Sequence, residues 1–196
     1  LHPRATTGRG QRIDASLYTS AIAWLANVGQ NHLVSGKDAK RYGNAHANIV
    51  PYQTFKARDG YMTIAVGNDK QFRALCKIVG QPELADDERY AVNPARVANR
   101  DELIAILQGC FETQDADHWL SACYRAGIPS GKINTVEQVF AHEQTLARDM
   151  LVQVEHPTAG MLKLAGIPYA LSDTPATVRL APPLLGQHTD EILADR

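Results

Sequence analysis

The sequence predicts an α+β fold, and three observations carry that expectation. Two strand-like runs, Tyr52 to Ala57 and Tyr61 to Val66, flank Arg58-Asp59-Gly60, whose Asp-Gly pair is the turn chemistry of a hairpin. Two more, Leu151 to Glu155 and Met161 to Leu164, are joined through His156-Pro157-Thr158-Ala159-Gly160. Around these hairpins lie amphipathic runs that open on N-cap residues and close on glycine, the marks of separate helices.

In chain order, the Gly8-Arg9-Gly10 turn leads to Asp14, which can cap a helix running to about Leu33. Leu17, Ala21, Trp24, Leu25 and Val28 form one apolar stripe, and Ile22 and Ala23 widen it, so the helix is expected to be buried between two bodies. It is not a membrane span, because Ser16, Thr19, Asn27, Gln30, Asn31 and His32 interrupt it. After the first hairpin, Asn68 with Gln71 forms a capping-box pattern. Phe72, Leu75, Cys76 and Val79 then follow at helical spacing, and Gly80 stops the helix. Asn99 with Glu102 repeats the box before Leu103, Leu107, Cys110 and Phe111. A shorter helix carries Trp119, Leu120, Cys123 and Tyr124 and ends at Gly127. Gly127-Ile128-Pro129 turns the chain toward Thr135, a third cap with Gln138 as partner, and a final helix starts at about His188.

The chain has 196 residues, enough for one or two domains that bury roughly 70% of the unfolded surface. A net charge of −1 gives no electrostatic reason to expect nucleic acid or an anionic membrane as partner. Cys76, Cys110 and Cys123 are odd in number, lack CxxC spacing and occupy apolar positions, so they read as reduced, structural thiols of a cytosolic-type compartment. Leu1 is not an initiator methionine and no secretory signal follows it, which reads as the interior of a longer chain.

Several motifs lead nowhere. Gly8-x-Gly10 lacks the third glycine and the preceding strand of a dinucleotide fingerprint. The seven histidines offer no paired ligand spacing, and His142-Glu143 lacks the second histidine of a metalloprotease helix, so no metal site is expected. Ser130 in Gly127-Ile-Pro-Ser-Gly131 is a turn serine rather than a nucleophile elbow. The polar stretch Arg41 to Asn48 is different, with a cation, two asparagines and a histidine ahead of a hairpin and a capped helix. It is either a solvated connector whose asparagines cap turns or a binding loop on a scaffold.

Five separated segments, GRGQRIDASL, GNAHANIVPYQTF, DGYMTIAVGNDKQF, EHPTAG and APPLLGQHTDEIL, resemble the family III CoA-transferases. That group includes the formyl-CoA and carnitine-CoA transferases and the 2-methylacyl-CoA racemases. The resemblance implies residues 1–48 as connecting helix and active-site loop, 49–134 as the small α+β domain, and 135–196 as a segment returning to the large domain. Most of that large CoA-binding domain would be absent. So would the nucleophilic aspartate, which in the family's order precedes the GRGQ segment and hence Leu1, leaving no catalytic residue here and an inactive chain.

The reaction implied is transfer of CoA between carboxylic acids through an aspartyl-CoA thioester, with dicarboxylic acyl groups such as succinyl and glutaryl. Acyl-CoA and acid are the partners, the CoA thioester is a substrate, and no cofactor is required. The family also implies an interlocked homodimer and a cytoplasmic setting, mitochondrial in a eukaryote. In the formyl-CoA transferases a glycine-rich loop closes over the catalytic carboxylate where Gly43, Asn44, His46 and Asn48 stand here. Arg41 supplies a planar fork suited to a second carboxylate. In the racemase branch an acidic residue near Asp69 lines the site, although an acid there also complements the helix dipole. A racemase or epimerase of the same family and a non-catalytic binding module are the alternatives.

Overall fold

The computed structural model describes residues 2–194, in two units that divide between Lys132 and Ile133. The first opens with α1 (His2–Thr7), α2 (Leu17–Trp24) and α3 (Ala26–Ser35), followed by a loop that enters β1 (Tyr52–Ala57) and β2 (Gly60–Ala65). Next come α4 (Asp69–Ile78), a single 3-10 turn (Pro82–Ala85), α5 (Asn93–Ala98), α6 (Arg100–Phe111), α7 (Ala116–Arg125) and β3 (Ser130–Lys132). The second unit holds α8 (Val136–Ala141), α9 (Glu143–Ala147), the hairpin β4 (Leu151–His156) and β5 (Gly160–Ala165), and α10 (Thr189–Ala194).

An antiparallel sheet in the order β1-β2-β3 organises the first unit, with Ala57 opposite Gly60 at the hairpin and Ile64 opposite Ser130. Alternation puts Phe55 and Ala57 of β1 and Met62 and Ile64 of β2 on one buried face. Three helices cover it with stripes at helical spacing: Phe72, Leu75 and Cys76 of α4, Leu103, Leu107 and Phe111 of α6, and Trp119 and Cys123 of α7. Phe111 is the hinge of this packing, tilted 57° against Phe55 at 4.8 Å and edge-on to Trp119 at 5.5 Å. The Trp119 indole donates to the Phe111 carbonyl at 2.9 Å, so the ring is buried without an orphaned donor. Burial pushes the Cys76 and Cys123 thiols up to about 11, and Cys110 upward as well, so all three side chains act as small apolar groups.

Several expectations need correction. The single helix from Asp14 to Leu33 is two helices, because Ala26 takes φ 40°, a left-handed value that interrupts the ladder. Its N-cap is Ser16, whose hydroxyl accepts from the Thr19 amide at 3.1 Å, while Asp14 pairs with Arg12 at 2.7 Å. Nor is this helix pair buried: among the described residues Leu17, Tyr18, Trp24, Leu33 and Val34 are all exposed, Leu17 by 92% and Trp24 by 85%.

Asn68 does cap α4 by accepting from the Gln71 amide, but Gln71 reaches past it to the Gly67 amide. Asn99 is not a side-chain cap, since its amide nitrogen donates to Arg89 O and Ala95 O, and Glu102 binds Arg89 instead. The expected turn at Ser130 is the third strand of the sheet. The Asp-Gly turn forms the hairpin without left-handed residues, because neither Asp59 nor Gly60 has positive φ. Asp59 instead accepts from the Ala116 amide at 2.7 Å and caps α7, beside a bidentate Arg58–Asp115 pair that holds the Asp115 carboxyl below its usual range. The stops at Gly80 and Gly127, the Thr135–Gln138 capping box and both hairpins stand as read.

In the second unit none of the described residues is fully buried, and the apolar side chains of its hairpin, Val152, Val154, Leu162 and Leu164, are only half-buried. Among the described residues of the chain, no helix is long and apolar enough to cross a membrane. The exposed apolar side chains of α2 and α3 generate a prediction, since contiguous apolar surface of this kind marks an interaction face. In sedimentation the chain is expected to self-associate, or as a monomer to bind a dye for apolar surface. A clean monomer that binds no dye would contradict the exposed face.

Candidate functional site

The polar loop between α3 and β1 is fixed by two different sets of contacts. One comes from the start of β1 and from α3. Gly43 has φ 60°, a conformation glycine adopts at no steric cost, and it lets the Ala45 amide turn back to Tyr42 O at 3.0 Å. Asn44 accepts the Thr54 amide at 2.9 Å, and the His46 amide donates to Tyr52 O at 2.9 Å. The His46 imidazole stacks on the Tyr52 ring at 5.3 Å and 16°, and its Nδ1 accepts the Asn48 amide at 3.1 Å. From α3, Asn31 and Asn48 exchange a reciprocal pair of amide bonds at 2.9 and 3.1 Å, and Asn27 Nδ2 lies 3.5 Å from His46 Nε2. Asn27 and Asn31 are four residues apart on one helical face, which is why both meet the loop.

The second set comes from a polar stripe at positions 93, 96 and 100. Asn93 donates to Asn48 O at 2.8 Å and accepts the Val50 amide at 3.1 Å. Arg96, with its side chain 0% exposed, donates Nε to Val50 O at 2.7 Å, Nη1 to Tyr90 O at 2.9 Å and Nη2 to Asp69 at 2.7 Å, over the Phe72 ring at 4.4 Å. Arg100 gives Nη2 to both His46 O and Ala47 O, at 2.8 and 2.9 Å, and sits over the Tyr42 ring at 5.6 Å. Four carbonyls of the loop, at 46, 47, 48 and 50, are thereby taken up by three side chains.

The residues singled out from the sequence fall into three places. Asn44, His46 and Asn48 are engaged with β1, α3 and α5, as described. Arg41 is exposed and lines a groove of about 860 Å³ with Lys40, Tyr42, Ala45 and Ala47 on one wall and the α6 residues around Arg100 on the other. Its guanidinium has no ion pair or hydrogen bond among the described residues, so its donor fork is open to a ligand. Asp69, half exposed, is the counter-ion of Arg96 at the first turn of α4. Neither its partner Arg96 nor Asn93, Arg100, Asn27 and Asn31 was singled out as functional from the sequence. The i, i+4 spacing of the two asparagines and the i, i+3, i+7 spacing of the Asn-Arg-Arg stripe were the available signals.

A profile of CoA-transferase family III matches residues 1–189. The chain is 43% identical over 189 residues to the human protein named succinyl-CoA:glutarate CoA-transferase, covering 96% of this chain and 43% of that one. It is 40% identical over 189 residues to the succinate–glutarate CoA-transferase of Agrobacterium fabrum, covering 96% and 47%. Among solved structures, a CAIB/BAIF family protein from Brucella suis aligns with a TM-score of 0.74 and 43% identity over 98% of this chain and 50% of that one. The chain thus spans about half the length of the curated relatives it matches. With a family profile over nearly its whole length and relatives at this identity, the chain belongs to CoA-transferase family III.

Proposed function

We propose that the whole protein moves coenzyme A between carboxylic acids, with dicarboxylic acids such as succinate and glutarate as its substrates. The observation that carries this reading is the 43% identity, over 96% of the chain, to a protein named for that pair of acids. In the proposed scheme an aspartate carboxylate attacks the donor thioester, giving a mixed anhydride and CoA thiolate. The thiolate attacks the aspartyl carbonyl of the anhydride, forms the aspartyl-CoA thioester and releases the donor acid. The acceptor carboxylate then takes the CoA by the same steps in reverse. That aspartate belongs to the half of the family fold that this chain does not span. The CoA thioester is a substrate, and no step calls for a metal or redox group.

This chain would contribute the acid-binding side of such a site. A dicarboxylic acyl group carries a second carboxylate that must be held away from water at a cost unless charged donors meet it. The open Arg41 fork at the groove suits that task, with His46 and Asn48 in the adjacent loop. A homodimer, in which a second copy covers the exposed faces of α2 and α3, is part of the same proposal.

Two outcomes test the reading. Incubated with succinyl-CoA and glutarate, the chain alone is expected to form no glutaryl-CoA. Turnover at an enzymatic rate of about 1 to 10³ per second would place the nucleophile within it. In a protein carrying the whole family fold, Arg41→Met is expected to weaken use of glutarate and succinate by about 1.5 to 3 kcal/mol, as measured by kcat/KM. A monocarboxylic acceptor is expected to change far less. Equal losses for both kinds of acid would assign Arg41 to the loop or to CoA and remove the dicarboxylate reading from this residue.

A further inference from the structure

The cations that the fold draws away from water are paired, with one exception. Among the described lysines and arginines only Arg96, Arg100 and Lys132 are buried or half-buried. Arg96 is met by Asp69, and Lys132 by Asp59 and Asp117. Arg100 has no carboxylate partner among the described residues, although a charge withdrawn from water is costly until an opposite charge meets it. Its Nη2 is taken by the carbonyls of His46 and Ala47, while Nη1 is shut off from water with no hydrogen-bond partner. Two acids line the same groove as Arg100, but Glu102 is bound by Arg89, and Asp101 forms no ion pair among the described residues.

We propose that Arg100 Nη1 and the Arg41 fork form one oxyanion subsite in the groove, which takes the second carboxylate of the acid substrate. The inference deepens the CoA-transfer reading and rests on it for the identity of the acid. Arg100 is anchored through Nη2 and lies over the Tyr42 ring at 5.6 Å, which sets the plane and direction of its free nitrogen. Tyr42 is the chain neighbour of Arg41, so the loop that Arg100 holds is also the loop that carries Arg41. Lys40 lines the same groove without an ion pair among the described residues and adds a third positive charge. Two guanidinium groups offer separate donors to the two oxygens of a planar carboxylate. Anchored as it is, Arg100 loses little freedom on binding, and exposed Arg41 closes from the facing wall. An acid without the second carboxylate leaves the half-buried charge unmet, so Arg100 selects for dicarboxylic acids. Because Nη1 is shut off while the Tyr42 ring lies over the guanidinium, that half-buried ring shifts as the oxygen arrives.

The test is NMR of the chain at about pH 7, where both carboxylates of glutarate are ionised. Glutarate is the probe, with chloride and inorganic phosphate as controls at matched ionic strength. Glutarate is expected to move the Arg41 and Arg100 Nε–H signals and the Tyr42 ring signals along one saturation curve. The signals of Arg12 and Arg73, exposed arginines that already hold carboxylates, are expected to stay in place. Arg100→Gln removes the charge but leaves amide donors for the loop carbonyls. It should weaken the Arg41 response to glutarate by about tenfold, what loss of a hydrogen bond to a charged acceptor costs. Movement of Arg41 without Arg100 and Tyr42 in the parent chain would overturn the subsite with no variant needed. So would no saturable response at either arginine, or an Arg41 response unchanged in Arg100→Gln. Saturation by phosphate and not by glutarate would give the groove to a phosphate group and overturn the acid. Each of those results leaves the CoA-transfer reading standing, because that reading is decided by turnover.

Discussion

The buried guanidinium of Arg96 is the constraint on which the rest of the first unit depends. An arginine with its side chain 0% exposed is costly unless its charge is met, and here each of its three nitrogens donates once, to Val50 O, Tyr90 O and Asp69, while Phe72 lies beneath the charge. Each acceptor belongs to a different piece of chain: the exit of the polar loop, the segment before α5, and the first turn of α4. One side chain therefore sets where three segments meet. Asp69 keeps 48% of its side chain exposed, so the pair is buried on one side only, and the carboxylate retains part of its hydration.

From that point the loop is built outward. Arg96 fixes Val50, Asn93 fixes Asn48 and Val50, and Arg100 fixes His46 and Ala47, so the carbonyls of 46, 47, 48 and 50 are met by one line of side chains. With the backbone held from that side, Asn44, His46 and Asn48 meet β1 and α3, while Ala45 and Ala47 line the groove that Arg41 shares. Small residues at 45 and 47 keep the groove open, and polar residues at 44, 46 and 48 supply the bonds. Between Arg41 and Asn48 the loop has the single glycine Gly43, whose left-handed φ makes one turn, and side-chain bonds to neighbouring elements hold the rest.

Local chemistry made most of the secondary structure readable. The Thr135–Gln138 box, the Asn68 cap, the glycine stops and both hairpins depend on residues within a few positions of each other, and they form as read. What was misread depends on partners far along the chain. Asp59 looks like a turn residue until α7 arrives 57 positions later, and Asn99 looks like a cap until Arg89 O and Ala95 O claim its amide. Ser130 is a strand only because β2 is there to pair with it. The site divides in the same way. The loop from Arg41 to Asn48 stood out by composition, whereas the side chains that hold it sit 17 residues before Asn48 or some 45 to 54 after the loop residues they bind. Arg96 carries no local mark at all, flanked as it is by Ala95 and Val97.

Denaturant unfolding of Arg96→Met beside the parent chain, with hydrogen exchange at the His46, Asn48 and Val50 amides, tests this dependence most directly. Methionine keeps much of the volume but leaves Val50 O and Tyr90 O without their donor and Asp69 without its counter-ion. A loss of about 2 to 4 kcal/mol, from leaving two carbonyls without their donors while the half-exposed Asp69 is met by water, is expected together with faster exchange along the loop. A loss below about 1 kcal/mol with the loop amides protected as before would mean that the loop and the sheet are held without Arg96, and would contradict the account.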